Sequence, residues 1–383
     1  MEYKFADIAE NSVAKRLPTE EDRLLYIGLE HLESGSLSIS HWGSAVPLKG
    51  EKLIMKKGDI LFGKRNTYLR RASIAPHDGL FSAHGMVLRP KTDVVCEEYF
   101  PFFVNSDQFF SKTIQISVGS LSPTVNWKDM RELEFDLPPL DRQRELAELL
   151  WAANDLKEKY KKLITASDEM LKAKFREMFG VCGGQAAEGD PDVSKWPLVK
   201  IGNIVTEVRY GTSKPGGNDG VYAYLRMNNL TDDGYVDLTE LKRISLEGDD
   251  LAKSLVRRGD LLFNRTNTKE LVGKTAYFDL DEEMVIAGYI IRVRVDQTRI
   301  EPCYLWKLMN TEELKVKLRH MAKGAVHQAN INAQELQSIE IPLPPLTLQR
   351  QFVEIARKAD ETKSALKKSI ADVDNIIKGL ING

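Results

Sequence analysis

Residues 57–67 read KGDILFGKRNT, and residues 258–268 read RGDLLFNRTNT. Six of the eleven positions are identical, and the exchanges Lys57/Arg258, Ile60/Leu261 and Lys64/Arg265 keep the chemistry. A second pair lies downstream. LPPLDRQR at 137–144 faces LPPLTLQR at 343–350, with six of eight positions identical. Weaker matches fall between these anchors in the same order. Gly85-Met-Val-Leu-Arg89 aligns with Gly288-Tyr-Ile-Ile-Arg292, Tyr99 with Tyr304, Asn105-Ser106 with Asn310-Thr311, and Asn126 with Asn332. Upstream, Tyr26-Ile27 aligns with Tyr224-Leu225. Ordered matches displaced by about 200 residues mark a duplicated unit.

The duplication divides the chain. Residues 1–140 and 196–345 are two copies of a mixed domain, each followed by a helical segment, 141–180 and 346–383. The stretch 181–195, VCGGQAAEGDPDVSK, has the composition of a linker. Within each copy, Gly58-Asp59 and Gly259-Asp260 are turn signals before the strand-like runs Ile60–Phe62 and Leu261–Phe263. Gly85–Leu88 and Tyr289–Val295 read as buried strands. One short helix is expected around Glu97–Phe110, with a mate around Pro302–Lys317.

The Pro-Pro pairs at 138–139 and 344–345 announce long helices. Asp141 and Thr347 stand at equivalent places and are expected N-caps, and Gly180 is the expected C′ residue of the first helix. A seven-residue period places Leu149, Leu156, Leu163 and Met170 at one position, and Leu146, Ala153, Tyr160 and Ser167 at another. The second helix repeats it with Phe352, Ala359, Leu366, Val373 and Leu380, supported by Ile355, Ile370 and Ile377. At 1.5 Å per residue each rod is about 50–60 Å long, and the two stripes are expected to pair. The expected fold class is α+β: two tandem homologous α/β domains separated by two long antiparallel, coiled-coil-like helices.

Composition excludes several classes. The 383 residues are 42% hydrophobic and 29% charged, enough to bury real cores. With 54 Lys+Arg against 56 Asp+Glu the net charge is −2, so a nucleic-acid surface has to be local. Three scattered cysteines, Cys96, Cys182 and Cys303, have no C-x-x-C spacing and suit a reducing, cytoplasmic compartment. The opening MEYKFADIAENSVAKRLPTE has no apolar h-region, and no apolar run approaches a membrane span.

Catalytic patterns are missing. Gly273-Lys-Thr275 lacks the earlier glycine of a phosphate loop and reads as strand. The six histidines have no H-x-x-x-H or H-E-x-x-H spacing, so no metal site is expected. No serine lies in G-x-S-x-G. Asp59 and Asp260 read as turn residues rather than metal ligands.

What remains is a set of polar and basic loops. After each Gly-Asp strand comes a run of donors. In the first copy it holds Lys64, Arg65, Asn66, Thr67, Tyr68, Arg70 and Arg71, and in the second Asn264, Arg265, Thr266, Asn267 and Lys269. A second cluster precedes the matched Asn: Ser120, Ser122 and Thr124 in the first copy, Lys323, His327 and Gln328 in the second. The second copy adds Arg209, Tyr210, Thr212 and Lys214. Arg and Asn make bidentate contacts to guanine and adenine, and Lys, Ser and Thr suit phosphates. For any single loop a solvated surface accounts equally well for such residues, but two equivalent loops favour nucleic acid.

The chain resembles the specificity subunit of type I restriction–modification systems. The resemblance covers nearly its whole length. It rests on the duplicated layout, Trp196-Pro-Leu-Val-Lys-Ile-Gly202 opening the second half, the two Gly-Asp strands, the two L-P-P-L-x-x-Q-R motifs, and Lys174-Phe-Arg-Glu-Met-Phe-Gly180. Lys4-Phe-Ala-Asp-Ile8 lacks the Trp-Pro and Gly of the second opening. The resemblance implies that each mixed domain recognises one half of a bipartite double-stranded DNA site. It implies that the helices set the gap and dock two DNA methyltransferase subunits, with Leu149, Leu156, Leu163, Met170, Phe352, Leu366 and Val373 on the spacer and docking faces. It further implies no cofactor and no catalytic residue here, S-adenosylmethionine in the methyltransferase subunits, and ATP and Mg in restriction/motor subunits. The alternatives are a specificity subunit of another restriction class, a coiled-coil adaptor, and an enzyme with an unrecognised site.

Overall fold

A computed structural model describes residues 1–180, 196–325 and 328–382. The expected linker, residues 181–195, and His327 lie outside the described residues. The chain forms two compact units, Met1–Leu163 with Ala365–Gly383, and Ile164–Ser364. Each long helix therefore contributes to both units rather than standing as a separate segment.

In the first unit, one sheet runs Ala9–Ser12, Met86–Pro90, Ile60–Phe62, Ala72–Ile74. A second runs Lys15–Arg16, Lys52–Met55, Gly79–Phe81, Tyr26–Ile27. Glu2–Lys4 pairs antiparallel with Glu134–Asp136. The Ile60–Phe62 strand serves two cores because alternate side chains point to opposite faces. Ile60 and Phe62 pack with Phe103, Phe109 and Phe135 on one side. Leu61 packs with Ile27, Phe81 and Val87 on the other. A strand covered on both faces reads as an unbroken apolar run, which is why its sequence lacks polar alternation.

The second unit repeats the plan. Its sheet orders are Val205–Tyr210, Ile290–Val295, Leu261–Asn264, Thr275–Tyr277, and Lys242–Ile244, Tyr222–Leu225, Met284–Ile286, Leu255–Val256. Leu261 and Phe263 face one core and Leu262 another. In both units one short pairing is parallel, Tyr26 with Leu80 and Tyr224 with Val285, and the matched tyrosines stand on the corresponding strands.

The repeated Gly-Asp pair is a structural device. Gly58 and Gly259 have φ of +92° and +96°, which a side chain would strain. Asp59 Oδ2 accepts from Lys56 N at 2.8 Å, and Asp260 Oδ2 from Arg257 N at 3.0 Å. Each carboxylate also takes two guanidinium bonds, Asp59 from Arg89 and Asp260 from Arg294. Arg89 is thus equivalent to Arg294, not Arg292. Ile60 pairs with Leu88 and Leu261 with Val293, so the expected match slips by two residues. Arg292 occupies the place of Val87 and is buried, bonded to Glu207 and to the Leu255 carbonyl.

Each expected short helix is two helices. Phe100–Val104 is followed by Asp107–Gln115, and Pro302–Met309 by Glu312–Met321. The repeated Asn-Ser/Thr pair makes the break. Ser106 and Thr311 cap the second helices by accepting from Phe109 N and Leu314 N. Asn105 and Asn310 bond back to Pro101 and Trp306 carbonyls and across to Ala72 and Thr275 carbonyls.

The long helices span Leu140–Phe179 and Leu346–Asn382. They start one residue before Asp141 and Thr347, so those residues lie inside the first turn instead of capping it. The glutamine of each L-P-P-L-x-x-Q-R motif is buried. Gln143 accepts from Cys96 N and donates to the Val94 and Pro138 carbonyls. Gln349 accepts from Glu301 N and donates to the Arg299 and Pro344 carbonyls. The motif thereby ties each helix start to the loop before the first short helix. Gly180, at φ +78°, closes the first helix, its N–H donating to Arg176 O.

The helices pack antiparallel. Lys157 Nζ meets Asp374 Oδ1 at 2.6 Å in the first unit, and Lys363 Nζ meets Asp168 Oδ1 at 2.7 Å in the second. The step forward from Lys157 to Asp168 equals the step back from Asp374 to Lys363. One of the two stripes expected on the first helix is corrected, however. Leu149, Leu156, Leu163 and Met170 are 53%, 40%, 53% and 55% exposed. The buried face of the first helix is Leu146, Ala147 and Leu150 in the first unit, and Leu171, Phe175 and Phe179 in the second. Phe352, Ala356 and Ala359 of the second helix join the latter core. Val373 is buried and Leu366 half-buried. The buried residues follow the i, i+4 spacing of a helix laid on a domain core, which a strict seven-residue count does not distinguish from a parallel apolar edge.

A polar network joins the helices to the second unit's core. Tyr235 Oη donates to Asp360 Oδ1 at 2.7 Å, and Lys363 and Lys307 reach the same carboxylate at 3.0 and 3.5 Å. Burial opposes the charge of Asp360, but Lys307, the Tyr235 hydroxyl and Lys363 outweigh it and hold its pKa below the ordinary value. A depressed folded pKa contributes stability that is present above the unfolded carboxylate range and lost as pH falls through the folded value. The unfolding temperature of the second unit is therefore expected to fall as pH drops below ~4. Asp360→Asn should lower it at neutral pH and flatten that slope, as measured by thermal unfolding across pH.

Candidate nucleic-acid interface

In the first unit the backbone brings the two expected clusters together. Val125 N donates to Lys64 O at 3.0 Å and Asn66 N to Pro123 O at 2.7 Å. Arg65 and Thr124 form a β-bridge, and Arg65 Nη2 donates to Ser122 Oγ at 3.3 Å. Asn66 and Arg70 both have positive φ, 54° and 49°, and flank the turn Thr67–Leu69. A non-glycine residue rarely holds that conformation, and such outliers cost about 1–3 kcal/mol each. Arg70 is braced by an ion pair with Asp107 and lies over the Phe110 ring. Tyr68 projects from the turn, exposed.

The second unit builds the same junction. Ile331 N donates to Arg265 O at 2.9 Å, the counterpart of Val125 to Lys64. Thr266–Asn267 pairs with Gln328–Asn330, which pairs with Lys323–Ala325 in a three-stranded sheet. Arg265 reaches Asn330 Oδ1 at 3.2 Å and lies 5.0 Å from the Tyr210 ring centroid. The third expected cluster, around Arg209 and Tyr210, is thereby joined to the other two. Tyr210 Oη also accepts from Ala333 N.

Not every expected contact residue is available. Thr67 and Asn264 are fully buried, and Thr212 and Thr266 nearly so. Thr67 Oγ1 donates to Lys64 O, Asn264 Oδ1 accepts from Thr266 N, and Thr212 Oγ1 accepts from Lys214 N. The side chains of Thr67, Asn264 and Thr212 thus hold the loops, and all four are too covered to present a face to a duplex. Ser120 lies on the hairpin tip between Val118 and Thr124, and Thr124 Oγ1 donates to Ser122 O. Arg71 donates to the Leu29 and Arg65 carbonyls. Asn267 Oδ1 accepts from Thr268 N, and Lys269 is exposed.

Several cations rest on carboxylates: Arg209 on Glu207, Lys214 on Asp250 and Lys323 on Glu335, at 3.2, 2.7 and 2.6 Å. Exposed pairs of this kind are worth little and exchange readily for a phosphate. Lys64 is pushed below the ordinary lysine range, first by burial and then by Lys15 beside it. Lys15 was not among the expected residues; it comes from a separate strand with no motif around it. Among the described residues there is no group of three or more His, Cys, Asp or Glu able to hold a metal ion, and no helix long and apolar enough to cross a membrane.

Comparison with known proteins decides the family. The profile described as "Type I restriction modification DNA specificity domain" matches twice, at residues 2–166 and 194–373. The chain belongs to the type I restriction–modification specificity family. Within that family, the MjaX protein of Methanocaldococcus jannaschii is 29% identical over 189 residues, 49% of this chain and 44% of the relative. The EcoBI specificity subunit of Escherichia coli is 24% identical over 296 residues, 70% of this chain and 61% of the relative. Those matches span less than two thirds of either relative. The MjaVIII specificity subunit of M. jannaschii is 22% identical over 369 residues and covers 93% of this chain and 84% of its own length. In fold, the chain is similar to the type I S subunit from M. genitalium. The TM-score is 0.59 at 12% identity, covering 100% of this chain and 94% of that one.

Proposed function

We propose that this family member is the DNA-recognition subunit of a type I restriction–modification complex in the cytoplasm. Each duplicated domain reads one half of a bipartite double-stranded site. The helix pair sets the gap and docks two methyltransferase subunits, which bind S-adenosylmethionine and methylate adenine. Restriction/motor subunits use ATP and Mg. This chain contributes recognition and no bond-making step.

The observation that carries the reading is the junction built twice. Lys64 and Arg265 occupy one backbone position, held by one hydrogen bond in each unit, at the base of a loop bearing exposed donors. Docking is supported by Leu149, Leu156 and Leu163, with Met170 one heptad on, which leave an apolar edge of the first helix open. Large exposed apolar patches mark interaction sites.

The test uses the chain assembled with its methyltransferase subunits. Arg265→Ala or Asn267→Ala is expected to relax one position of one half-site, by about 1–3 kcal/mol of discrimination, if the side chain reads a base. A phosphate contact weakens all sequences alike and flattens the salt dependence by about one counterion. Unchanged binding by both variants, with folding intact, removes this loop from the interface.

A further inference from the structure

Leu121 is 95% exposed, more than any other large apolar side chain among the described residues. It does not sit on a loose loop. Val118 and Thr124 exchange two backbone hydrogen bonds, of 3.0 and 2.9 Å, below the tip. Gly119 turns the chain at φ +114°. The tip is fastened to the basic loop by Asn66 N to Pro123 O and by Arg65 to Ser122. Val118, Tyr68 and Leu69 are exposed on the same pair of loops. Arg65, bonded to Ser122, brings a positive charge to the tip, and Lys64 precedes it in the same loop with Lys15 beside it.

An apolar side chain gains nothing from a phosphate, whereas cations at its flanks draw a duplex towards it. Among the groups that base pairs display in the major groove, the thymine 5-methyl is the apolar one. We propose that Leu121 reads the 5-methyl group of a thymine in the half-site recognised by the first domain. The inference rests on the DNA-reading function above and adds to it the chemistry of one base position. The polar neighbours Ser120 and Ser122 remain beside it for donors and acceptors on the same edges.

The experiment uses the full chain assembled with its methyltransferase subunits. Preferred duplexes are selected from a random library, and each thymine on either strand is then replaced singly by uracil, which removes only the methyl. One thymine in the first domain's half-site is expected to lose about fourfold in affinity on this exchange, the value of one buried methyl group. In Leu121→Ala the thymine duplex should already be weaker by a similar factor, and the exchange should have no further effect. Both halves of that cycle are required. The proposal is overturned if no uracil in that half-site weakens binding, if the sensitivity persists in Leu121→Ala, or if the variant weakens all duplexes equally. The last result assigns the side chain to a wedge between base pairs or to a protein contact. If the unaltered complex selects no sequence, the DNA-reading function itself fails, an outcome distinct from selection without a methyl effect.

Discussion

Four residues inserted between Ser167 and Asp168, matched by four between Lys363 and Ser364, are expected to lengthen the unread gap by one or two base pairs. Both half-sites should stay unchanged. Four residues add ~6 Å of rise and turn the buried face by only about 40°, and one base pair occupies ~3.4 Å of duplex. The matched positions follow from the antiparallel register. Asp168 and Lys363 form an ion pair on one side of the insertion, and Lys157 and Asp374 on the other. Insertion into both helices keeps both pairs, whereas insertion into one shifts its stripe against the other. The single insertions should therefore assemble poorly. Sequencing of methylated adenines in cells carrying the matched variant reads the gap directly. A variant that assembles and methylates with the old gap assigns the spacing to the partner subunits.

Asp260→Ala is expected to be among the most destabilising single substitutions in the second unit, at about 3 kcal/mol, with Asp59→Ala the counterpart in the first. Each carboxylate is nearly buried and carries a turn hydrogen bond as well as a two-pronged guanidinium contact. Removing one partner of such a pair strands the other and typically costs about 3–5 kcal/mol; the arginines here are partly exposed, which places the value at the lower end. In the second unit the loss also leaves Arg294 and the buried Arg292 to share Glu207. Since a domain is stable by only about 5–15 kcal/mol, the midpoint of the affected unit should shift clearly in urea while the other unit's does not. Equal shifts in both units would show that they unfold together.

These effects divide the legible from the illegible in the sequence. The Gly-Asp repeat was readable because its geometry is local: a positive φ that glycine tolerates and a carboxylate that closes its own turn. The Pro-Pro pairs and Gly180 bound the helices for the same reason. The break between the paired short helices is not legible, because Asn105 and Asn310 make it through bonds to carbonyls distant in sequence or one turn back, while Ser106 and Thr311 cap the helix that follows. Counting from Gly85 and Gly288 aligns Arg89 with Arg292. Strand pairing places it with Arg294, and only that choice leaves the buried aspartate satisfied. The first helix carries two heptad stripes: Leu149, Leu156, Leu163 and Met170 are left exposed, whereas Leu146 of the other is buried and Ala153, Tyr160 and Ser167 are half-buried. In the loops, residue type picked out clusters that the fold brings side by side. Burial of Thr67 and Asn264 depends on contacts that no motif encodes. Leu121 and Val118 carry no such signal, because donors and cations, not apolar side chains, mark a nucleic-acid loop at the level of sequence.

The central claim is that each duplicated domain reads its own half of the site. The direct measurement is the methylated sequence made by a chimaera in which residues 1–140 are exchanged for those of a family member with different specificity. The helices and the second domain are retained. One half-site should change to that of the donor, while the other half-site and the gap stay as they were. A change in both half-sites, or in neither while methylation continues, would contradict modular reading by the two domains.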